Sequence, residues 1–326
     1  MADWKPPTQD RVEGYFKELN NWGRWGHDDQ RGTANLITAA KRAEAAALVR
    51  TGRTVSLARD IGPQPAIMYN VTFPSNRERA DVVLDRFDLV YHGFSITHID
   101  ALCHVAWDGE LYNGRSFKDS LTAAGATWCA IDAYFDGLTT RGVLLDVAAG
   151  RKEGYVTVGQ PVTPKELDAV AARAGVKVGP GDVVVVRNGD EAFRKANPDW
   201  VPRVSPHPGM HLSCLEWFRE KDIAAISWDM MDERPTAYPG FAMARTWPSR
   251  SSAWCSSTTR TRSGWPARAP RKDATSSSSP RRRSGWSARR ARRRTRSRSS
   301  SAPRARGARG RASGPCSRRS PGSAAR

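Results

Sequence analysis

Two stretches of the chain show the apolar periodicity of amphipathic helices. In TAAKRAEAAALVRTG, residues 38–52, the Ala, Leu and Val positions recur at helical spacing. Thr38 is a favourable N-cap residue, and Gly52 is suited to end the helix. A second stretch, HLSCLEWFREK over residues 211–221, has a similar pattern. We therefore predict helices over both ranges.

A further helix is indicated mainly by the residues at its two ends. In TPKELDAVAARAG, Thr163 is the predicted N-cap and Pro164 occupies the first helical position. Glu166 is placed to complete a capping box with Thr163. Gly175 ends the helix, because glycine readily adopts the left-handed conformation that closes the last turn.

Short runs rich in Val, Ile and Leu alternate with these predicted helices. Such runs predict strands that are buried on both faces. They are residues 54–58, 142–147, 182–189 and 223–229. Continuous apolar strands interleaved with helices are typical of an α/β protein with a largely buried sheet.

This pattern stops near residue 245. Residues 246–326 contain no Leu, Ile, Val, Phe, Tyr or Met, and they hold 23 Lys and Arg residues against one acid, Asp273. Residues 1–245 carry 29 basic and 32 acidic side chains, so the formal charge of +19 comes entirely from the tail. We expect a folded domain over 1–245 and a disordered basic tail over 246–326.

The tail has two explanations, which the sequence leaves open. A genuine tail rich in Arg and Ser would neutralise phosphates and indicate nucleic-acid binding. A reading-frame shift of one base in a GC-rich gene explains the composition better, because Ser codons then read as Phe, Leu, Ile or Val. In that frame residues 246–259 can encode His-Leu-Ala-Ile-Pro-Val-Leu-Gly-Met-Val-Leu-Val-Asp-Asn. We favour the frame shift and do not expect a nucleic-acid partner.

Cellular location is indicated by what the sequence lacks. The opening residues MADWKPPTQDRVEGYF have no apolar core of a secretory signal, and no run is apolar enough to span a bilayer. The five cysteines are scattered and contain no CxxC pair, which is typical of reduced thiols. We expect a cytoplasmic protein without a membrane segment.

Candidate chemistry is concentrated in YHGFSITHIDALCH, residues 91–104, which holds three of the six histidines. SITHID alternates like a strand, so His98 and Asp100 should share a face while Ile99 points into the core. A short turn returns His104 to the same region. Imidazole and carboxylate groups suit Zn²⁺ or Mn²⁺. From spacing alone, separate structural roles for these side chains remain an alternative.

The stretch resembles the motif of the cyclase-type metal-dependent hydrolases, which include bacterial kynurenine formamidase and isatin hydrolase. The resemblance covers roughly residues 20–240 and includes NNWGRWGHDDQRGTANLIT, LVRTGRTVSLAR, TRGVLLDVA and PGDVVVVRNG. It implies a swivelling β/β/α-type domain with a mixed sheet, a homodimer, and a bound Zn²⁺ or Mn²⁺. It also implies hydrolysis of an amide, formamide or lactam, with the arylformamidase step of tryptophan catabolism as the first expectation.

Site residues are carried over from the resemblance position by position. His98 and Asp100 resemble metal ligands, and His104 resembles the catalytic general acid and base. The formamidase-type motif has a further ligand histidine four residues before His98, where this chain has Phe94. The longer family members show an HG…TH pattern, which makes His92 the candidate for the third ligand.

The family pattern also has a later histidine and an acid twelve residues further on, and the chain as written has neither. The shifted frame can encode His at position 246 and Asp at position 258, and it can encode the family's closing NPIAV at 295–299. The polypeptide as written would then lack part of its site. A catalytically impaired member of the family is therefore an alternative to an active enzyme.

Other polar residues are weaker candidates. His207 and His211 flank a loop-to-helix junction, where we predict substrate contact or helix entry. Asp229 and Asp232 follow a predicted strand, and capping is the favoured interpretation. Cys103 lies within the motif, and we predict that it packs as an inert thiol.

Overall fold

The computed structural model describes residues 4–61, 66–73, 82–90, 92–93, 96–202 and 204–241. These residues all belong to one compact unit, Met1–Arg268. The predicted basic tail lies outside the described residues. Among the described residues, no helix combines the length and the apolar character needed to cross a membrane.

Helices and strands alternate along the second half of the unit. The helices are α1 (Gln9–Glu18), α2 (Ala39–Ala47), α3 (Phe117–Ser120), α4 (Pro164–Ala174), α5 (Asp190–Ala196) and α6 (Cys214–Glu220). The strands are β1 (Ala66–Phe73), β2 (Val82–Leu89), β3 (Leu121–Thr122), β4 (Gly125–Ala126), β5 (Gly142–Asp146), β6 (Val183–Arg187) and β7 (Ala225–Trp228).

The central sheet is parallel, in the order β5–β6–β7. Val143 pairs with Val184, and Val184 pairs with Ile226, so the apolar runs of the three strands lie side by side. Helices α4 and α6 cross over between the strands and bury the sheet, as continuous apolar strands require. The predicted α/β class is confirmed, and three of its predicted strands are present.

Antiparallel pairing occurs in two smaller sheets. Strands β1 and β2 form a hairpin in which Ala66 pairs with Leu89, and β3 pairs with β4. Parallel and antiparallel pairing therefore both occur in the described residues, but in separate sheets and not in the single mixed sheet that was expected. The hairpin leads into the histidine-rich motif, because β2 ends three residues before His92.

The predicted strand at 54–58 is wrong. Residues 52–61 have no regular secondary structure, and Val55 is 41% exposed. The segment is instead attached by single contacts. The Arg59 amide donates to Thr97 Oγ1 at 2.9 Å, and the Arg59 guanidinium pairs with Asp190. In the described structure, residues 54–58 therefore form no sheet hydrogen bonds with a neighbouring strand.

Helix ends agree closely with the predicted caps. The Thr38 hydroxyl accepts from the Lys41 amide at 3.1 Å, as predicted for α2, but α2 ends at Ala47 and does not reach Gly52. In α4 the N-cap and the left-handed Gly175 are both as predicted. Helix α6 is shorter than predicted, because residues 211–213 form its entry turn.

Candidate metal centre

The backbone that carries the motif is extended but is not a regular strand. Residues 97–99 have no assigned element, and Asp100 occupies a single bridge position. Ile96 is buried, at 6% exposure, whereas Ile99 is only half-buried. The predicted core contact therefore belongs to Ile96, and the expectation for Ile99 is wrong, because the segment is not held flat by a neighbouring ladder.

Two histidine side chains of the motif converge on one carboxylate oxygen. The Oδ1 atom of Asp100 lies 2.9 Å from Nδ1 of His92 and 3.3 Å from Nε2 of His98. One ligand atom from each of the three residues lies within 4.8 Å of the other two. Asp100 is buried and His98 is 6% exposed in its side chain, so the group is open mainly on the side of His92.

A main-chain contact sets the orientation of the His98 ring. Its Nδ1 atom lies 2.7 Å from the carbonyl oxygen of Ile96, which can only accept a hydrogen bond. The hydrogen of the neutral ring therefore sits on Nδ1, and the lone pair of Nε2 points toward Asp100. Metal-binding histidines are usually fixed by a hydrogen bond of this kind at the second nitrogen.

The electrostatics of the group favour a positive charge between the side chains. Burial lowers the pKa of His98, but its contacts with Asp100 and the Ile96 carbonyl outweigh burial and leave that pKa raised. Burial raises the pKa of Asp100, and the three histidines more than offset it, so its pKa is lowered. A carboxylate is therefore retained in a buried position, where a cation would be well stabilised.

His104 lies beside this group at the end of a short 3₁₀ turn, Leu102–His104. Its Nε2 atom is 4.0 Å from Oδ2 of Asp100, the oxygen that does not face the other two histidines. Burial lowers the pKa of His104, against the opposing effect of Asp100. Its side chain is 36% exposed, so the ring is accessible from solvent.

Buried apolar residues pack against the turn that carries His104. Leu102 is fully buried with Tyr112 and Cys129, and the Cys103 amide donates to the Cys129 carbonyl at 3.2 Å. Burial raises the pKa of the Cys103 thiol, so little thiolate is present to react. These contacts support the prediction that Cys103 is packing material. They also fix the backbone that presents His104.

The donor set fits a divalent transition metal. It offers two imidazole nitrogens and one carboxylate oxygen, with the remaining side partly open. Catalytic zinc sites commonly use three protein ligands and leave one position for water or substrate. The structure brings the predicted ligands His98 and Asp100 together, and His92 lies with them in the group. Phe94, the position of the family's further histidine, lies outside the described residues.

The other candidate histidines are elsewhere. His207 is buried, and its backbone pairs with that of Arg234. His211 lies at the entry to α6, where its Nδ1 atom is 2.9 Å from Ser213 Oγ. Neither belongs to the three-residue group around Asp100.

The two candidate aspartates of the sheet edge have local structural partners. Asp229 accepts from the amides of Asn188, Gly189 and Asp190 at 2.6, 2.8 and 3.1 Å, which caps the start of α5. Asp232 pairs with Arg234 at 3.3 Å. The favoured capping interpretation therefore describes Asp229 well.

Asn113 is a supporting residue that the sequence reasoning missed. It adopts a left-handed conformation, with φ of 63°, and accepts from the Gly23 amide at 2.9 Å. Its amide nitrogen donates to the carbonyls of Gly26, His27 and Asp29. The dipeptide Asn113-Gly114 predicts a turn, but it does not predict that Asn113 binds the loop of residues 23–29. These hydrogen bonds connect the loop after the motif to the Trp-rich segment near the N-terminus.

Comparison with known families identifies the chain at the level of its class. The model of the Cyclase family, described as "Putative cyclase", matches residues 34–233. This range is more than half of the chain and includes the whole candidate metal centre. The chain belongs to the cyclase family, and the resemblance noted in the sequence is confirmed.

Two solved structures are similar to the chain. A crystal structure described as a novel cyclase has 27% sequence identity and a TM-score of 0.58, and covers 66% of this chain and 76% of its own. Isatin hydrolase A from Ralstonia solanacearum has 17% identity and a TM-score of 0.41, and covers 69% of this chain and 85% of its own. None of the curated proteins matches the chain.

Proposed function

We propose that this protein is a metal-dependent hydrolase of C–N bonds, acting on an amide, formamide or lactam. The observation that carries the proposal is the convergence of His92 and His98 on one oxygen of a buried aspartate, Asp100. Membership of the cyclase family supports it. When bound, the metal supplies Lewis acidity and lowers the pKa of water to about 7.

The ligand chemistry favours Zn²⁺ or Mn²⁺. Imidazole nitrogen is a good donor for both ions, whereas Mg²⁺ and Ca²⁺ prefer oxygen ligands. Asp100 contributes the one anionic ligand, which its lowered pKa keeps deprotonated. His98 contributes Nε2, because Nδ1 is committed to the Ile96 carbonyl.

His104 is the proposed general acid and base. Its ring is partly exposed, and it approaches the oxygen of Asp100 that the ligand histidines leave free. A substrate carbonyl placed over the ligand group would therefore lie beside His104 Nε2. The imidazole takes a proton from the attacking water and delivers one to the leaving nitrogen, which is a typical pair of roles for histidine.

The substrate expected first is an N-formylated arylamine such as N-formylkynurenine. This expectation comes from the family of cyclase-type hydrolases that the sequence resembles. The same resemblance suggests a homodimer and an enzyme of tryptophan catabolism, and the scattered cysteines suggest the cytoplasm. The resemblance suggests a small-molecule partner, and the favoured frame shift in the basic tail argues against a nucleic-acid partner.

The test combines metal analysis with turnover. Wild-type protein is loaded with Zn²⁺ or Mn²⁺, and the rate of formanilide and N-formylkynurenine hydrolysis is measured beside His98→Ala. We expect about one metal per chain in the wild type, with both metal and turnover lost in the variant. His27→Ala, a change at an exposed histidine, is the matched control. Equal turnover in wild type and His98→Ala would refute the mechanism.

A second candidate is a metal-binding but catalytically impaired member of the family. Two observations favour it: the described residues supply three ligands, and the written chain lacks the family's later histidine and acid. Bound metal without turnover of any formamide, amide or lactam would select this alternative over the active hydrolase.

A further inference from the structure

We infer that His92 is a positioning residue as well as a ligand: its ring face fixes the orientation of His104. This inference rests on the proposed function, in which His104 handles the proton. It assigns His92 a second role that depends on its flat face and not on its nitrogen. The two roles can therefore be separated by substitution.

The contact between the two rings is close and parallel. The ring centroids of His92 and His104 are 3.9 Å apart, and the ring planes differ by 1°. His92 meets His98 quite differently, edge to face at 5.4 Å and 82°. The face of the His92 ring thus packs against His104, while the edge that bears Nδ1 is directed at Asp100.

His104 needs such support because little else orients its ring. It is the last residue of a three-residue turn, and its side chain is 36% exposed. The distance from its Nε2 atom to Asp100 Oδ2 is 4.0 Å, which is too long for a hydrogen bond. Within the described part of the chain, the stack on His92 is the closest ring contact that His104 makes.

Both contacts of His92 depend on one ring plane. The edge of that ring lies 2.9 Å from Asp100 Oδ1 through Nδ1, and its face packs against His104. A proton donor that is misplaced by about 1 Å loses much of its catalytic effect, so loss of the face should slow proton delivery to the leaving nitrogen.

The experiment compares His92→Phe with His92→Leu. Both variants lack the ligand nitrogen and have similar bulk, and they differ in the flat aromatic face. Rates are measured at saturating Zn²⁺ or Mn²⁺ with formanilide, whose leaving nitrogen needs a proton, and with N-formyl-para-nitroaniline, whose leaving group needs it far less. We expect His92→Phe to exceed His92→Leu by about tenfold on formanilide and by less than about twofold on the nitro compound.

An equal ratio on the two substrates, or equal rates of the two variants, would overturn the inference. Because loss of the ligand nitrogen could abolish turnover in both variants, crystal structures of the pair provide an independent readout. The His104 ring should keep its place beside Asp100 in His92→Phe and leave it in His92→Leu. An unmoved ring in His92→Leu contradicts the positioning role. A wild type without metal or turnover would refute the proposed function but not this structural comparison.

Discussion

The Nδ1 atom of His98 lies 2.7 Å from the carbonyl oxygen of Ile96, and this contact decides what His98 presents to Asp100. With its hydrogen committed to the carbonyl, the neutral ring turns a lone pair toward Oδ1 of Asp100, 3.3 Å away. Two acceptors in that position repel each other unless a proton or a metal ion lies between them. The buried carboxylate and the fixed ring are therefore matched to a cation.

Asp100→Asn tests the charge of the ligand group with little change in shape. The neutral amide is a much poorer metal ligand, so we expect the affinity for Zn²⁺ or Mn²⁺ to fall by at least about 100-fold. Competition with a chelator measures the change. Asp108→Asn makes the same chemical change at an exposed position outside the group, and it should bind metal like the wild type. Equal affinities in the two variants would contradict Asp100 as a ligand.

His104→Gln separates proton transfer from metal binding. Glutamine has no comparable basic nitrogen, and we expect kcat to fall by about 10²- to 10⁴-fold while the metal content stays at the wild-type value. Turnover and metal analysis of the same preparation check both parts. A variant that loses its metal together with its activity would instead make His104 a ligand.

The closeness of these side chains was predictable from the sequence because its determinants are local. His98 and Asp100 are two residues apart on extended backbone, and a three-residue turn is enough to return His104. The contact that fixes the His98 ring was not predictable, since every residue has a carbonyl and Ile96 has no special marking. The wrong expectation for Ile99 has a related cause, because strand pairing depends on residues far away in the chain.

The fold shows the same division between local and distant determinants. The caps Thr38 and Thr163 were predicted because an N-cap hydroxyl accepts from an amide only three residues later, which is a local contact. The strand predicted at 54–58 failed because β-propensity cannot supply a partner strand. Its neighbourhood is attached through Arg59 and Asp190, which are 131 positions apart.

Gly209→Ala should be strongly destabilising. A Cβ atom at Gly209 would overlap the backbone carbonyl of Met231 and lie 2.6 Å from the carbonyl carbon of Asp232. Backbone atoms cannot rotate away, so we expect a loss of about 3 kcal/mol or more in the free energy of unfolding. Gly179→Ala is the matched control, because a Cβ there meets nothing within 4 Å. Urea unfolding of both variants checks the difference; equal midpoints would contradict the close approach.

His211 should make the fold sensitive to acid. Burial lowers its pKa to about 4, whereas an unfolded histidine titrates near about 6.5. Since the unfolded chain binds the proton more tightly, stability is complete above pH 6.5 and is lost as the pH falls toward 4. The loss amounts to roughly 3 kcal/mol.

Glu233 must be removed before this effect can be measured. It lies 3.8 Å from His211, and burial, followed by the charge of Asp232, raises its pKa to about 7. Its protonation stabilises the folded state as the pH falls from 7 toward 4.5, which is the opposite sign. We therefore compare Glu233→Gln with Glu233→Gln combined with His211→Gln by denaturant unfolding between pH 4 and 7. The double variant should lose less stability on acidification; parallel curves would show that His211 does not titrate as proposed.

The last prediction concerns the reading frame beyond residue 245. The described residues bring together three side chains that could hold a metal, and the frame shifted by one base can encode a histidine at position 246 and an aspartate at position 258. If these complete the site, the frame-restored protein should bind Zn²⁺ or Mn²⁺ at least about 100-fold more tightly than the chain as written. Restored apolar sequence could also improve folding, and that effect alone could raise affinity. The control is therefore the frame-restored protein with alanine at position 246, which keeps the restored sequence and removes the imidazole. Equal metal affinity in the restored protein and this control would exclude position 246 from the site.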